Sequence, residues 1–142
     1  MANLLTNVGE EWIVESNPDG ATIIASVFNN GTDNVGEASD VADITSEPSG
    51  AGFARQSVTV TTKQISGNFG FDTDTEISFD VSDSTATVDH GLFIVSFVSD
   101  TVAGDGSTTE HLIGVDALSQ SRDLSQIDTL KISAGDLGLT LN

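Results

Sequence analysis

Residues Leu92 to Val98 restrict the fold more than any other stretch, because apolar side chains fill both alternating positions of a strand there. β-branched and aromatic residues at nearly every position favour a strand over a buried helix at this length. Alternate side chains of a strand point to opposite faces. The two sets here are Leu92, Ile94 and Val98, and Phe93, Val95 and Phe97. Both faces must be covered, which predicts a β-sandwich built around this strand.

The length of the chain, 142 residues, is that of one domain, and we expect residues 1–142 to share a single core. Cysteine is absent, which excludes disulfides and a thiol nucleophile. The N-terminus carries neither the basic residues nor the long apolar run of a secretory signal, so we expect no signal. The longest apolar stretch is too short to span a bilayer, and we expect no membrane partner.

The net charge of −18 is the most pronounced feature of the composition, since 22 acidic residues face four basic ones. Such a surface repels itself in ordinary salt. In molar salt the screening length falls to roughly 3 Å and most of that repulsion disappears. The composition is therefore typical of a folded protein from a halophilic source, although an ordinary acidic protein is the alternative. Four cations cannot form a basic patch, so we expect no nucleic-acid partner.

One helix is predicted, from Ala2 to Val14, with Asn3 as its cap. Four apolar side chains recur on one helical face, namely Leu4, Leu5, Val8 and Trp12. We expect residues 1–16 to form a helical docking arm. The rest of the chain consists of short strands separated by turn residues, with a long polar loop from Thr32 to Gly52 and a second loop from Ser99 to Thr109. This pattern predicts an all-β protein, an antiparallel, jelly-roll-like sandwich with one short N-terminal helix.

His90 and His111 are the only side chains suited to general-base chemistry at neutral pH. Serine is too abundant for chance Ser-His-Asp matches to be informative, and no Gly-x-Ser-x-Gly motif is present. We expect packed, hydrogen-bonded histidines and no enzymatic activity, and no cofactor is implied.

Asp72, Asp74 and Glu76 form the best candidate metal site, because alternate residues of an extended chain share a face. Three converging carboxylates could bind a hard cation such as calcium. The segment lacks the spacing of an EF-hand loop. We favour a solvated acidic strand edge, which would also oppose edge-to-edge aggregation, and therefore expect no metal site.

Arg55 and Arg122 are informative because basic residues are so scarce. Each guanidinium should form bidentate pairs with carboxylates, either within one chain or across a subunit boundary. We expect at least one of the two to bridge subunits. Trp12, the only tryptophan, could dock on a neighbouring subunit or pack in the core. The predicted subunit contacts are Leu4, Leu5, Trp12, Arg55 and Arg122.

Six segments, in order along the chain, resemble small virion structural proteins of tailed phages and of related archaeal viruses. They are Leu4–Glu11, Thr45–Gln56, Gly67–Gly70, Asp89–Ile94, Ala117–Arg122 and Ala134–Leu141. Members of this family are described as head-decoration, minor tail or tail-fibre proteins. The resemblance implies a β-sandwich virion component with no enzymatic residues. Heavier acidity and a longer, more polar Ser99–Thr109 loop depart from the family pattern and fit a haloarchaeal host.

The expected function is therefore that of a decoration or turret protein on the capsid surface of a tailed virus that infects a halophilic archaeon. The expected partners are the major capsid protein and further copies of the chain, in a trimer or pentamer, because capsid symmetry favours cyclic assemblies. The contacts are expected in the N-terminal helix and the Thr32–Gly52 loop. The alternatives are a tail or tail-fibre component in host attachment, and a calcium-dependent carbohydrate-binding module that uses Asp72, Asp74 and Glu76.

Overall fold

The computed structural model describes residues 3–102, 105 and 109–141, and it confirms the predicted antiparallel β-sandwich. Short helices interrupt nine strands. The strands are β1 (Asn3–Leu5), β2 (Thr22–Phe28), β3 (Gln56–Ile65), β4 (Asn68–Thr73), β5 (Ile77–Asp80), β6 (Thr87–Phe97), β7 (Thr109–Asp123), β8 (Thr129–Ile132) and β9 (Gly138–Thr140). The helices are α1 (Asn7–Glu15) and α2 (Asn30–Asp33), with single 3-10 turns at Val41–Asp43 and Leu124–Gln126.

Seven strands form one antiparallel sheet in the order β1-β7-β6-β2-β3-β4-β9, and β5 pairs with β8 in a separate ribbon. The sheet curls until its two edge strands meet, where the Thr140 hydroxyl donates to Asn3 Oδ1 at 3.3 Å. β3 is long enough to pair with β2 through its first half and with β4 through its second. The result is close to a closed barrel, an arrangement that leaves little free strand edge.

The central strand is covered on both faces, as predicted. Phe93 lies in the larger core cluster, while Leu92 and Ile94 lie in a second cluster on the opposite face. Val98 is an exception: it falls beyond the end of β6, and 47% of its surface is exposed.

The N-terminal helix begins later than predicted. Residues 3–5 form strand β1, in which Leu5 pairs with Gly114 of β7, and Ala2 lies outside the described residues. The cap is Thr6 rather than Asn3, since the Thr6 hydroxyl accepts a hydrogen bond from the Gly9 N–H at 3.0 Å. The same buried hydroxyl donates to the Leu112 carbonyl at 2.6 Å. Strand β1 is too short to show an alternating pattern, and its Leu4 and Leu5 also fit the helical spacing that continues with Val8.

Helix α1 packs directly on the backbone of β7. A Cβ atom added at Gly9 would lie 2.0 Å from the Ile113 carbonyl oxygen, so only glycine permits this approach. One turn later the buried Trp12 meets Phe71 edge-to-face, with ring centroids 6.1 Å apart. Residues 3–15 are therefore part of the sandwich body.

Candidate functional site

Within the Thr45–Gln56 segment, Glu47 and Arg55 form an ion pair that also contacts the sheet. Arg55 donates twice to Glu47, from Nη2 to Oε1 at 2.7 Å and from Nε to Oε2 at 3.1 Å. The buried Ser26 hydroxyl of β2 donates to Glu47 Oε2 at 2.6 Å, which ties the pair to the sheet. Burial raises the pKa of Glu47, but the hydrogen bonds from Arg55 and Ser26 outweigh it and leave that pKa below its ordinary value.

Arg55 therefore forms the predicted bidentate pair within its own chain. Glu110 of β7 is a second carboxylate near the guanidinium, at 3.6 Å from Nη1. The bond from Glu47 is the main reason that the pKa of Arg55 is raised. A bridge from Arg55 to another subunit stays a prediction, and any such bridge would share a guanidinium already bound to Glu47.

The long loop between β2 and β3 is ordered by carboxylates. Asp33 Oδ2 accepts hydrogen bonds from the Ser46 hydroxyl at 2.7 Å and from the Thr45 N–H at 3.1 Å. Asp89 accepts from the Asn30 N–H at 2.8 Å. The Val41–Asp43 turn lies within the predicted Thr32–Gly52 loop, and α2 overlaps the start of that loop.

His111 is clamped between two carboxylates. Its Nδ1 lies 2.8 Å from Asp40 Oδ2 in the long loop, and its Nε2 lies 3.1 Å from Asp105 Oδ2. The Thr109 hydroxyl lies 2.9 Å from the same Nε2. The ring is buried, and its edge meets Phe97 of β6 at a centroid distance of 5.4 Å.

The cluster has the hydroxyl-histidine-carboxylate arrangement of a catalytic triad, with Thr109, His111 and Asp40 in the three positions. Its charges do not suit a histidine that must act as a general base. Burial lowers the pKa of His111, and the hydrogen bonds and charges of Asp40 and Asp105 more than reverse this, so the net shift is upward. A carboxylate at each nitrogen favours the doubly protonated imidazolium over the neutral imidazole that would have to accept a proton from Thr109. The cluster joins the long loop to β7.

The beginning of the Ser99–Thr109 loop is held by helix α1. Glu11 accepts hydrogen bonds from the Ser99 hydroxyl and the Asp100 N–H, both at 2.6 Å. The bond from Ser99 is the largest of the causes that lower the pKa of Glu11 to about 2. Asp105 accepts from the Ser99 N–H at 2.7 Å, and the loop residues 103, 104 and 106–108 lie outside the described part of the chain.

The candidate metal site at Asp72, Asp74 and Glu76 does not form. β4 ends at Thr73 and the chain bends at residues 74–75, so the alternation that would align the three carboxylates is lost. Asp72 binds Lys63 Nζ at 2.9 Å, and Asp74 accepts from the Thr61 hydroxyl. Within the described ranges, three carboxylates bring their oxygens within 4.8 Å of one another only at Glu11, Glu15 and Asp100, which lie at the surface.

Asp116 is a buried carboxyl at a cleft of about 440 Å³ between the two edge strands. Its Oδ2 accepts from the Gly138 N–H of β9 at 2.9 Å. Burial raises the pKa of Asp116 to about 6, because the backbone hydrogen bonds from Gly138 and Ala117 and the charge of His90 compensate only part of the lost hydration. Asp72 and Asp136 also line this cleft, without converging on Asp116 as a metal site would require.

The other predicted contact residues are distributed over the body. Leu5 and Trp12 are only 6% and 5% exposed. Trp12 packs in the core, which was one of the two roles predicted for it. Leu4 packs against the second cluster and is partly exposed. Arg122 lies near the end of β7, far along the sheet from α1.

Among the residues that the structure describes, four large apolar side chains are exposed. Val14 and Val98 are 84% and 47% exposed, at the end of α1 and just after β6. Phe69 and Leu141 are 55% and 39% exposed, and the Leu141 N–H donates to the Phe69 carbonyl at 2.9 Å, which places the two residues across from each other.

No protein-family model, curated protein or solved structure matches this chain. Among the described helices, none combines the length and the apolar character that crossing a bilayer requires.

The residues that organise these clusters, Glu47, Asp40, Asp105 and Asp116, were not singled out from the sequence. Asp40 lies 71 residues before His111, and no local pattern links the two. Glu47 stands in one of the six resembling segments with Arg55, and an isolated cation eight residues from a carboxylate was the available signal.

Proposed function

We propose that the protein is a non-enzymatic structural component of a virion. It binds the major capsid protein on the capsid surface, as a decoration or turret protein of a tailed virus that infects a halophilic archaeon. The order of six resembling segments along the chain supports the virion class, and the acidity supports the host.

The observation that carries the proposal is how the chain uses its few positive charges. Arg55 and Lys63 are paired with Glu47 and Asp72 of the same chain, and His111 is enclosed by two carboxylates. The Arg55 and His111 contacts hold loops onto the sheet, and the Lys63 contact joins the neighbouring strands β3 and β4. The remaining surface is overwhelmingly acidic, with a net charge of −18, as expected of a rigid body that binds neighbours in concentrated salt.

Binding would rest on apolar burial, since molar salt screens the repulsion between acidic partners and strengthens apolar association. Among the described residues, the large exposed apolar side chains that could make such contacts are Phe69, Leu141, Val14 and Val98. A trimer or pentamer is proposed, because cyclic assemblies match the symmetry axes of a shell.

Electron microscopy of purified particles of the encoding virus, labelled with a gold-conjugated antibody against this chain, tests the proposal. Gold on the faceted shell is expected. Gold confined to the tail would replace the capsid role with the tail or tail-fibre role, and particles without label would contradict both.

A further inference from the structure

Two of the four basic residues, Arg122 and Lys131, line the same small pocket, between the end of β7 and strand β8. Within the part of the chain that the structure describes, neither cation has a carboxylate oxygen within 4.0 Å. In a chain with 22 acidic residues this is unexpected, because Arg55 and Lys63 both bind carboxylates at less than 3 Å.

The rest of the pocket suits a small anion. Ser119 and Ser133 contribute hydroxyl groups, and the surface that faces the pocket is mostly polar, although the buried Leu130 and Leu137 also line it. The volume is about 100 Å³, below the roughly 300–1,000 Å³ of sites for drug-sized ligands. A carboxylate head group fits such a site and a cofactor does not.

We propose that this pocket binds the carboxylate of an Asp or Glu side chain from another acidic protein, with a second copy of this chain as the first candidate source. The planar guanidinium of Arg122 can donate two parallel hydrogen bonds to a carboxylate, and the ammonium of Lys131 adds a second positive charge. Asp136 also lines the pocket and opposes anion binding. The inference does not depend on a virion role, since it follows from two unpaired cations in one concave site.

The first test uses the full chain labelled with ¹⁵N and titrated with glutarate, and separately with phosphate, at constant ionic strength. Saturable shifts are expected at the amides of Ser119, Lys131 and Ser133 with glutarate. Lys131→Gln should weaken glutarate binding several-fold, and a double variant with Arg122→Gln should weaken it about tenfold. Asp136→Asn should strengthen it.

Lys63→Gln is the matched control, because it removes one positive charge from a lysine already paired with Asp72, and it should leave glutarate affinity unchanged. No saturable shift with glutarate, equal binding in the double variant, or binding of phosphate alone would overturn the proposal. Lys131 is exposed, so its single variant keeps the fold even if the half-buried Arg122 does not tolerate substitution.

Sedimentation velocity in molar salt separates the sources of the carboxylate. Self-association of the wild-type chain that is lost on Lys131→Gln supports a second copy as the donor. A wild-type monomer that binds glutarate supports a carboxylate from a different protein.

Discussion

Ionisation of the buried Asp116 carboxyl destabilises the fold at neutral pH. A carboxyl with a raised folded-state pKa binds its proton more tightly when folded, so stability falls as pH rises from about 3.8 through about 6. Asp116→Asn keeps an acceptor for the Gly138 N–H and removes the charge. We expect it to raise the free energy of unfolding at neutral pH by up to about 3 kcal/mol, since one pKa unit corresponds to about 1.4 kcal/mol.

Urea unfolding at about pH 4 and about pH 7 measures this effect, because the gain should be present only at the higher pH. Asp136→Asn is the control, since it removes an equal charge from an exposed side chain at the same cleft. An equal effect of both variants would show that general repulsion, and not burial, is responsible.

His111 gives stability the opposite dependence on pH. A histidine whose folded-state pKa is raised stabilises the fold fully below its unfolded value near 6.5, and the stabilisation is lost as pH rises through the higher folded-state value. The groups around the ring are Asp40, Asp105, Thr109 and Phe97. Urea unfolding above about pH 6.5 should show this loss in the wild type and a flatter curve in His111→Gln.

His90→Gln is the comparison for that experiment, because His90 contacts one carboxylate, Asp89, at 2.9 Å, where His111 contacts two. If the free energy of unfolding changed with pH equally in His111→Gln and in the wild type, Asp40 and Asp105 would not be stabilising an imidazolium.

Arg55 stabilises the long loop through Glu47. Arg55→Gln leaves the half-buried Glu47 carboxylate with Ser26 as a hydrogen-bond donor and without its ion pair, and should cost about 1–3 kcal/mol of unfolding free energy. A double variant with Glu47→Gln should cost less than the two single changes added together, because the uncompensated charge is removed with its partner. Additive costs in this cycle of urea unfolding measurements would contradict the coupling.

At the scale of single residues, the sequence predicted which side chains would matter better than it predicted their partners. The bidentate pairing of Arg55 was foreseen, and Glu47 was not, because tertiary packing brings it into reach. The three carboxylates of the candidate metal site, Asp72, Asp74 and Glu76, are not aligned, because the bend after Thr73 interrupts the strand alternation.

At the scale of elements, the close approach of α1 to β7 depends on Gly9. Alanine normally stabilises a helix relative to glycine, by about 1 kcal/mol. Here its Cβ would lie 2.0 Å from the Ile113 carbonyl oxygen, so Gly9→Ala should destabilise by about 1–3 kcal/mol or more. Thermal unfolding followed by circular dichroism checks the sign of the change.

Gly36→Ala is the control, because an added Cβ there meets no atom within 4 Å, and the change should be close to neutral. Equal melting temperatures for the two variants would mean that α1 can shift away from β7 at no cost.

Strands were predictable where alternation or a fully apolar run marks them, as in β6 and β8. The start of α1 was not, because Leu4 and Leu5 satisfy a helical stripe and a short strand equally well. The hydroxyl of Thr6 decides between the two, since it caps the helix and binds the Leu112 carbonyl, a contact 106 residues away in sequence.

At the scale of the whole molecule, closure of the sheet leaves a rigid body whose acidic groups must lie mostly at its surface. Carboxylates inside the body are tied to donors, as Asp40 and Asp105 are to His111. Most of the net charge of −18 therefore remains for the solvent to screen. Fold class followed from strand spacing alone, whereas the curling of the sheet depends on the meeting of its first and last strands, which no local pattern encodes.

The central claim is that this acidic body is stable and able to bind because concentrated salt screens its charge. The most direct test is the free energy of urea unfolding in about 0.1 M and about 1 M KCl, where the screening length falls from roughly 10 Å to roughly 3 Å. We predict a marked increase in stability with salt, larger than that of a neutral protein of equal size measured in parallel. A free energy of unfolding that is unchanged, or lower, in the higher salt would contradict the claim.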